Sequence, residues 1–497
     1  MTAPGGTRPR TRLAREMGLL GLTATGVCSM VGAGLNVIPF MIQRNVPGVG
    51  SWVLPAFVLG AIPAVFAGLA YAILASAMPR AGGSYIYASR ALSPYLGFIA
   101  SFSQWFSLSV AIGVVSYLIA PFLRDIAVAL DNGTAAAWLD LGAVRVVIAL
   151  AFLWAAAALN LRGVKAYERL MVPLMFLTFA LGGVVIVAGF GHAPADFLAA
   201  AALRGETWRA DMPMAGPGVL LPAAATLFAS FIGFDSIAQA GGEARHPGRD
   251  LPLAIFIAVA SVAVFYFLFT AAVYHTVPWA YVADLSRTRD LTAPGLLAYV
   301  LPPFWSVVIV SSAAVALIKD LPAMLLGVSR LMFAWAEDGI VPAAIAAVHP
   351  TRRTPYAAIL ASAGMATLGV LGSHVAGDFF LGVDILVTSM LVNFLFMAVS
   401  VVTLPRRSPA IAAHVSVLPS RALQLPVALA GVVVLAVFLG VHTWKDLTGP
   451  AAAWYFRSTP LWAIVMAIGS VVYLRETRRL AAQGVDLAAR FAVLPPE

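Results

Sequence analysis

Apolar stretches long enough for a helix to cross a hydrocarbon core, roughly 20 residues each, recur along this chain near 18–41, 51–77, 96–123, 141–160, 171–190, 218–241, 252–276, 301–335, 355–373, 379–403, 424–442 and 459–475. Such a pattern leaves little chain for a soluble core. Of the 497 residues 61% are hydrophobic and only 11% charged, and the mean hydropathy is +0.91, so lipid is the solvent for most of the surface. Many runs contain Gly or Pro, which membrane helices tolerate, and none alternates as a lipid-facing barrel strand must. The expected fold class is an all-α polytopic membrane protein with twelve transmembrane helices.

The first run follows Arg8, Arg10, Arg12 and Arg15. That flank is like a signal peptide's, but the run is too long for one and lacks a small-residue cleavage site, so it is read as retained. Sorting the 31 Lys and Arg residues by side places 21 with the amino terminus and 9 opposite, with Lys319 left deep inside a span. By the positive-inside tendency both termini are expected in the cytoplasm. The net charge of +9 is accounted for by that topology and by anionic inner-leaflet lipid, with no nucleic-acid partner. A single cysteine, Cys28, excludes a disulfide framework and a thiolate metal cluster. The seven histidines have no ligand spacing, and no nucleophile motif or cofactor loop stands among the polar residues. An enzyme is therefore not expected, nor a resident metal or cofactor.

Two runs carry glycine at mid-depth beside polar residues. These are Ser29-Met-Val-Gly32-Ala-Gly34-Leu-Asn36 in span 1 and Phe228-Ala-Ser-Phe-Ile-Gly233-Phe-Asp235 in span 6. Gly disfavours continuous helix by about 1 kcal/mol relative to Ala, and a break at mid-membrane frees N–H and C=O groups that need a ligand or ion in place of water. Five spans apart, the two run in opposite directions. That is the pattern of an inverted repeat with a ligand held between discontinuous helices.

The loops then resemble those of the amino acid–polyamine–organocation permeases. Pro79-Arg-Ala-Gly-Gly-Ser-Tyr85, Tyr87-Ala-Ser-Arg90-Ala-Leu-Ser-Pro94 and Leu96-Gly-Phe98 are similar to that family's segment after helix 2, and Asn160-Leu-Arg-Gly163-Val-Lys165 to the one before helix 5. Phe231-Ile-Gly233-Phe-Asp235 with Glu243-Ala-Arg-His-Pro247 and Arg249-Asp-Leu-Pro252 is similar to the helix 6–7 segment. Ser329-Arg330, Glu337-Asp-Gly339, Pro342, His349-Pro and Thr354-Pro355 are similar to the helix 8–9 segment. The resemblance spans nearly the whole chain, weakest in the last two helices. It implies a five-plus-five inverted-repeat core with discontinuous helices 1 and 6, two peripheral helices, and alternating access for amino acids, polyamines or related amines.

Carried over, the resemblance implies that N–H groups of Gly32, Ala33 and Gly34 hold a substrate carboxylate, with Phe228 to Gly233 opposite. A half-helix amino end suits an anion and carbonyl ends suit an ammonium. Asn36 stands where relatives often have an apolar residue, and its amide is a candidate for a polar substrate group or for stitching the break. Ala229 stands where relatives can have a gating aromatic, leaving Phe228, Phe231 or a wider pocket as alternatives.

Coupling is expected at Asp235 and at the Lys319-Asp320 pair in span 8. Mid-membrane charge costs roughly 2.5–3.5 kcal/mol or more, so these side chains need partners, a proton or a cavity. Pro322 also has no N–H to offer the Ile318 carbonyl. In sodium-coupled relatives carbonyls matching Cys28 and Val31 bind the ion, whereas some other relatives place there a helix-5 lysine. The matching helix-5 position here is Thr178, so the expectation is that Lys319 supplies the ammonium from span 8, with protons favoured over sodium. The domain organisation expected is a tail at 1–16, a ten-helix core at 17–403, helices 11–12 at 404–478 and a tail at 479–497. A secondary active transporter in a bacterial inner membrane, its partners a small amine-bearing solute and the bilayer, is the reading that results. An exchanger, or a non-transporting nutrient receptor of the same fold, stays open at this point.

Overall fold

The computed structural model describes residues 12–376, 379–449 and 453–495; Arg8 and Arg10 lie outside them. It is all-helical, with no named strand among the described residues and two isolated bridges, Met17 with Ala244 and Ala81 with Ala240. Among the described residues ten helices are long and apolar enough to cross a membrane, from Val53–Ala77 to Ser458–Ala482, and the protein is an integral membrane protein. Helix is the form these runs must take, because in lipid each backbone N–H and C=O has to be satisfied within its own segment. Interior prolines such as Pro63, Pro173 and Pro322 are accommodated without ending their helices.

Burial sorts the helices into a centre and a rim. About the most apolar window, 72% of residues are buried in Pro303–Glu337 and in Phe379–Arg407, against 17% in Ser458–Ala482. Pro303–Glu337, Pro247–Thr276 and Val53–Ala77 pack on the two chain segments that the glycines interrupt, and Gln104 of Pro94–Ala129 and Phe394 of Phe379–Arg407 reach the second of them by their side chains. The run expected near 18–41 divides into Leu19–Met30, Ala33–Asn36 and Ile38–Asn45. The run expected near 218–241 divides into Leu220–Leu227, a tighter turn at Phe228–Phe231, and Asp235–Gln239.

The helix expected from 171 begins seven residues earlier, as Val164–Phe190. Its first turns carry Lys165, Glu168 and Arg169, charges that hid the helix from a hydropathy reading. A short helix at Gly83–Ala91 was not anticipated. Gly82 precedes it at φ +76°, where a Cβ is disfavoured, and donates its N–H to Gln239 O at 3.0 Å. The loop after the second crossing is thereby folded against the second break.

The face bearing the amino terminus is sealed. Arg330 binds Glu243 through two hydrogen bonds, 3.1 and 2.6 Å, with both side chains 1% exposed or less. Arg90 binds Asp338 likewise, at 2.6 and 3.1 Å. The chain's last described residues lie over that second pair: Phe491 stacks under the Arg90 guanidinium at 5.1 Å, and Val493 O and Pro495 O accept from Arg90 and Arg80. On the opposite face the ion pairs are more open to solvent, among them Arg44 with Asp290 and Arg289 with Glu206, beside a cleft of 530 Å³ that Asp290, Arg124 and Arg289 help to line.

Candidate functional site

The two breaks touch each other. Helix Leu19–Met30 ends at Val31, and the backbone turns through Gly32 at φ −149°, ψ −122° before resuming at Ala33. Opposite, Ile232 is extended and Gly233 takes φ +132°, a conformation open to Gly and strained for other residues. A Cβ on Gly233 would lie 2.3 Å from Ser29 O, and one on Gly34 would lie 2.9 Å from Ser230 Cα. Ser230 Oγ donates to Gly34 O at 2.8 Å, tying the second contact. The glycines are needed for this crossing of two backbones. Gly34→Ala is accordingly expected to lower uptake by at least about tenfold, the effect of about 1.4 kcal/mol, within the 1–3 kcal/mol typical of overpacking; uptake by the reconstituted variant at matched protein level checks it.

Breaking helix Leu19–Met30 frees carbonyls, and a buried cation takes them. Lys319 Nζ donates to Cys28 O at 3.2 Å and to Val31 O at 2.6 Å, with the side chain 1% exposed. Tyr266 OH donates to Met30 O. The lysine thus occupies the carbonyl pair at which the resemblance put an ion. Thr178 bonds its own helix at Leu174 O. The contact between that helix and the break is made instead by Met171, whose carbonyl accepts from Cys28 Sγ at 3.6 Å. Asn160 Nδ2, unremarked in the sequence beyond its motif, donates to Pro322 O at 3.1 Å and braces the lysine's helix.

Asp320 does not pair with Lys319. Neighbours on a helix diverge by about 100°, and while Lys319 turns to the carbonyls, Asp320 faces a cavity of 60 Å³. Ala33, Gly34 and Ala229 line that cavity, as do Ser29, Met30, Leu108, Ile232, Met324 and Leu386. Gly32 and Gly233 shape the crossing without forming its wall. Phe228 packs on Phe394, and Phe231 on Phe57 and Tyr266, so neither ring supplies a gate at Ala229 in this state. Asn36 does not line the cavity either: its Nδ2 donates to Gly32 O at 3.2 Å, the stitching role. The wall residues from Leu108 to Leu386 escaped the sequence reading because an apolar side chain facing a cavity is indistinguishable, in sequence, from one facing a core.

Asp235 belongs to a separate polar network. Gln104 Nε2 and Gly233 N donate to its two oxygens. Gln104 Oε1 accepts in turn from Gln239 and Asn393, and Asn393 Nδ2 donates to Tyr71 OH, which meets Ser84. The carboxyl is 1% exposed, and no salt bridge to it is formed by any described residue. Asp384, in Phe379–Arg407, lies 3.9 Å from Lys445.

Two interrupted helices crossing at a small cavity, inside a bundle sealed on one face, define a solute transporter of the alternating-access kind. The chain belongs to the amino acid permease family, whose profile matches residues 17–471. It is similar to a methylthioribose transporter of Bacillus subtilis, 26% identical with 94% of each chain covered, and to a branched-chain amino acid permease of the same organism, 27% identical with 80% of this chain and 82% of that one covered. A low-affinity putrescine importer of Escherichia coli is 27% identical, with 64% of each chain covered. The protein is a membrane permease and not an enzyme.

Proposed function

We propose that this permease carries amino acids or related amines by alternating access, powered by protons and independent of sodium. Its ten long helices and the two interrupted segments make twelve crossings: a five-plus-five inverted-repeat core over 17–403, helices 11–12 over 404–478, and tails at 1–16 and 479–497. Both termini face the cytoplasm across a bacterial inner membrane, in keeping with the 21-to-9 distribution of Lys and Arg. The relatives' names, which cover an amino acid, an amine and methylthioribose, support a small organic solute.

The observation that carries the coupling is the Lys319 ammonium on Cys28 O and Val31 O. A fixed cation at that point repels a second one, so sodium has no place to bind. Asp235, buried on amide donors without a cation, is the candidate proton carrier.

Uptake of an amino-acid and amine panel into proteoliposomes, with proton and sodium gradients imposed separately, tests this. Proton-driven accumulation indifferent to sodium is expected. Asp235→Asn is expected to abolish accumulation against a gradient while sparing downhill exchange. Sodium-driven accumulation by the unaltered protein overturns the coupling scheme.

A further inference from the structure

Among the described residues, Asp320 is the one charged side chain on the wall of the central cavity. It is 4% exposed, and its Oδ1 has no hydrogen-bond partner. A buried carboxylate in that condition is costly until a cation or donor reaches it. Lys319 does not, since its Nζ is held on the two carbonyls. We infer that the solute taken by this cavity is a small aliphatic monoamine without a carboxylate, its ammonium paired with Asp320. This inference rests on the transport reading above and narrows its substrate.

The location of Asp320 excludes the carboxylate. A Cβ on Gly32 would lie 2.3 Å from Asp320 Oδ2, so the protein's own carboxylate sits against the turn whose N–H groups the resemblance assigned to the substrate's. Two carboxylates crowded at one site disfavour each other's charge. An amino acid therefore loses its anchoring group here, and an amine loses nothing.

The remaining wall sets the body of the solute. Met30, Leu108, Ala111, Ile232 and Met324 are apolar, so a chain of methylene and methyl groups suits them, and a second ammonium would find no counter-charge among the described residues. At 60 Å³, where a single water needs at least roughly 10–15 Å³, the space suits a short chain of a few non-hydrogen atoms. Isobutylamine and isoamylamine are of that size.

Binding to the purified full-length protein, and uptake after reconstitution, are measured for matched pairs: valine with isobutylamine, leucine with isoamylamine, and the diamine cadaverine beside them. Each monoamine is expected to bind at least about tenfold more tightly than its parent amino acid, and Asp320→Asn to weaken the monoamine at least about tenfold, as loss of a charged hydrogen bond does. The pairwise preference of the unaltered protein needs no variant to fold, and the melting temperature of Asp320→Asn separates lost binding from lost structure. Preference for the amino acids, or for cadaverine, overturns the inference and leaves the transport reading intact. Monoamine binding unchanged in a folded Asp320→Asn also overturns it. Uptake of no member of the panel brings down the amino-acid and amine reading itself.

Discussion

Lys319→Ala is expected to reduce gradient-driven uptake by at least about 100-fold, with the variant still inserted and monodisperse. The ammonium makes two charge-assisted hydrogen bonds, to Cys28 O and Val31 O, from a side chain that is almost wholly buried. Bonds of that kind contribute about 1.5–3 kcal/mol each. Losing both costs about 3–6 kcal/mol, and even the lower figure corresponds to about 100-fold in the population that keeps the break in its working geometry. Lys319→Ser carries a sharper consequence, because a hydroxyl beside two free carbonyls is a sodium-binding set. Uptake by the serine variant is expected to return in part when sodium is supplied, and by the alanine variant to return less. Initial rates in proteoliposomes with sodium or choline outside decide the matter. Uptake by Lys319→Ala at the rate of the unaltered protein would show that the lysine only braces two helices.

Features that break a helical or apolar pattern were legible in sequence, whereas features that depend on direction were not. Gly32, Gly34 and Gly233 declare themselves because glycine is costly in mid-helix, and Lys319 because an ammonium in an apolar run demands a partner. Its partners, Cys28 and Val31, were reachable through the family resemblance. Asp320 is adjacent to Lys319 in the chain yet serves another compartment, a matter of helical phase against neighbours that sequence does not locate. Asn36 had two chemically sound roles, and only its 3.2 Å contact with Gly32 O selects the stitch. Phe228 and Phe231 are large enough to gate a pocket, but their rings are drawn into aromatic packing with Phe394, Phe57 and Tyr266. The four residues of the seal on the amino-terminal face all stand in the loop motifs, but their pairing is not visible in sequence, since Glu243 and Arg330 lie 87 positions apart and Arg90 and Asp338 lie 248 apart.

That seal makes the second large prediction, and the chain supplies its own reporter. Cys28 is the only cysteine and is fully buried, at the inner end of a helix that starts on the sealed face. Arg330→Ala leaves Glu243 buried and uncompensated, a change that costs about 3–5 kcal/mol. The protein escapes that cost by opening this face, which hydrates Glu243 and admits water toward the break. Alkylation of Cys28 by N-ethylmaleimide is therefore expected to accelerate by at least about 100-fold, the effect of the lower figure, in Arg330→Ala. General loosening would give the same acceleration, so a double variant separates the two. Replacing a buried pair by neutral groups of similar volume is close to energetically neutral, and Arg330→Met with Glu243→Gln is expected to restore slow labelling. Fast labelling in both variants would mean that the arginine holds the fold rather than the gate. Slow labelling in both would mean that the Arg90–Asp338 pair, with Phe491 stacked on it, is sufficient to keep the face shut.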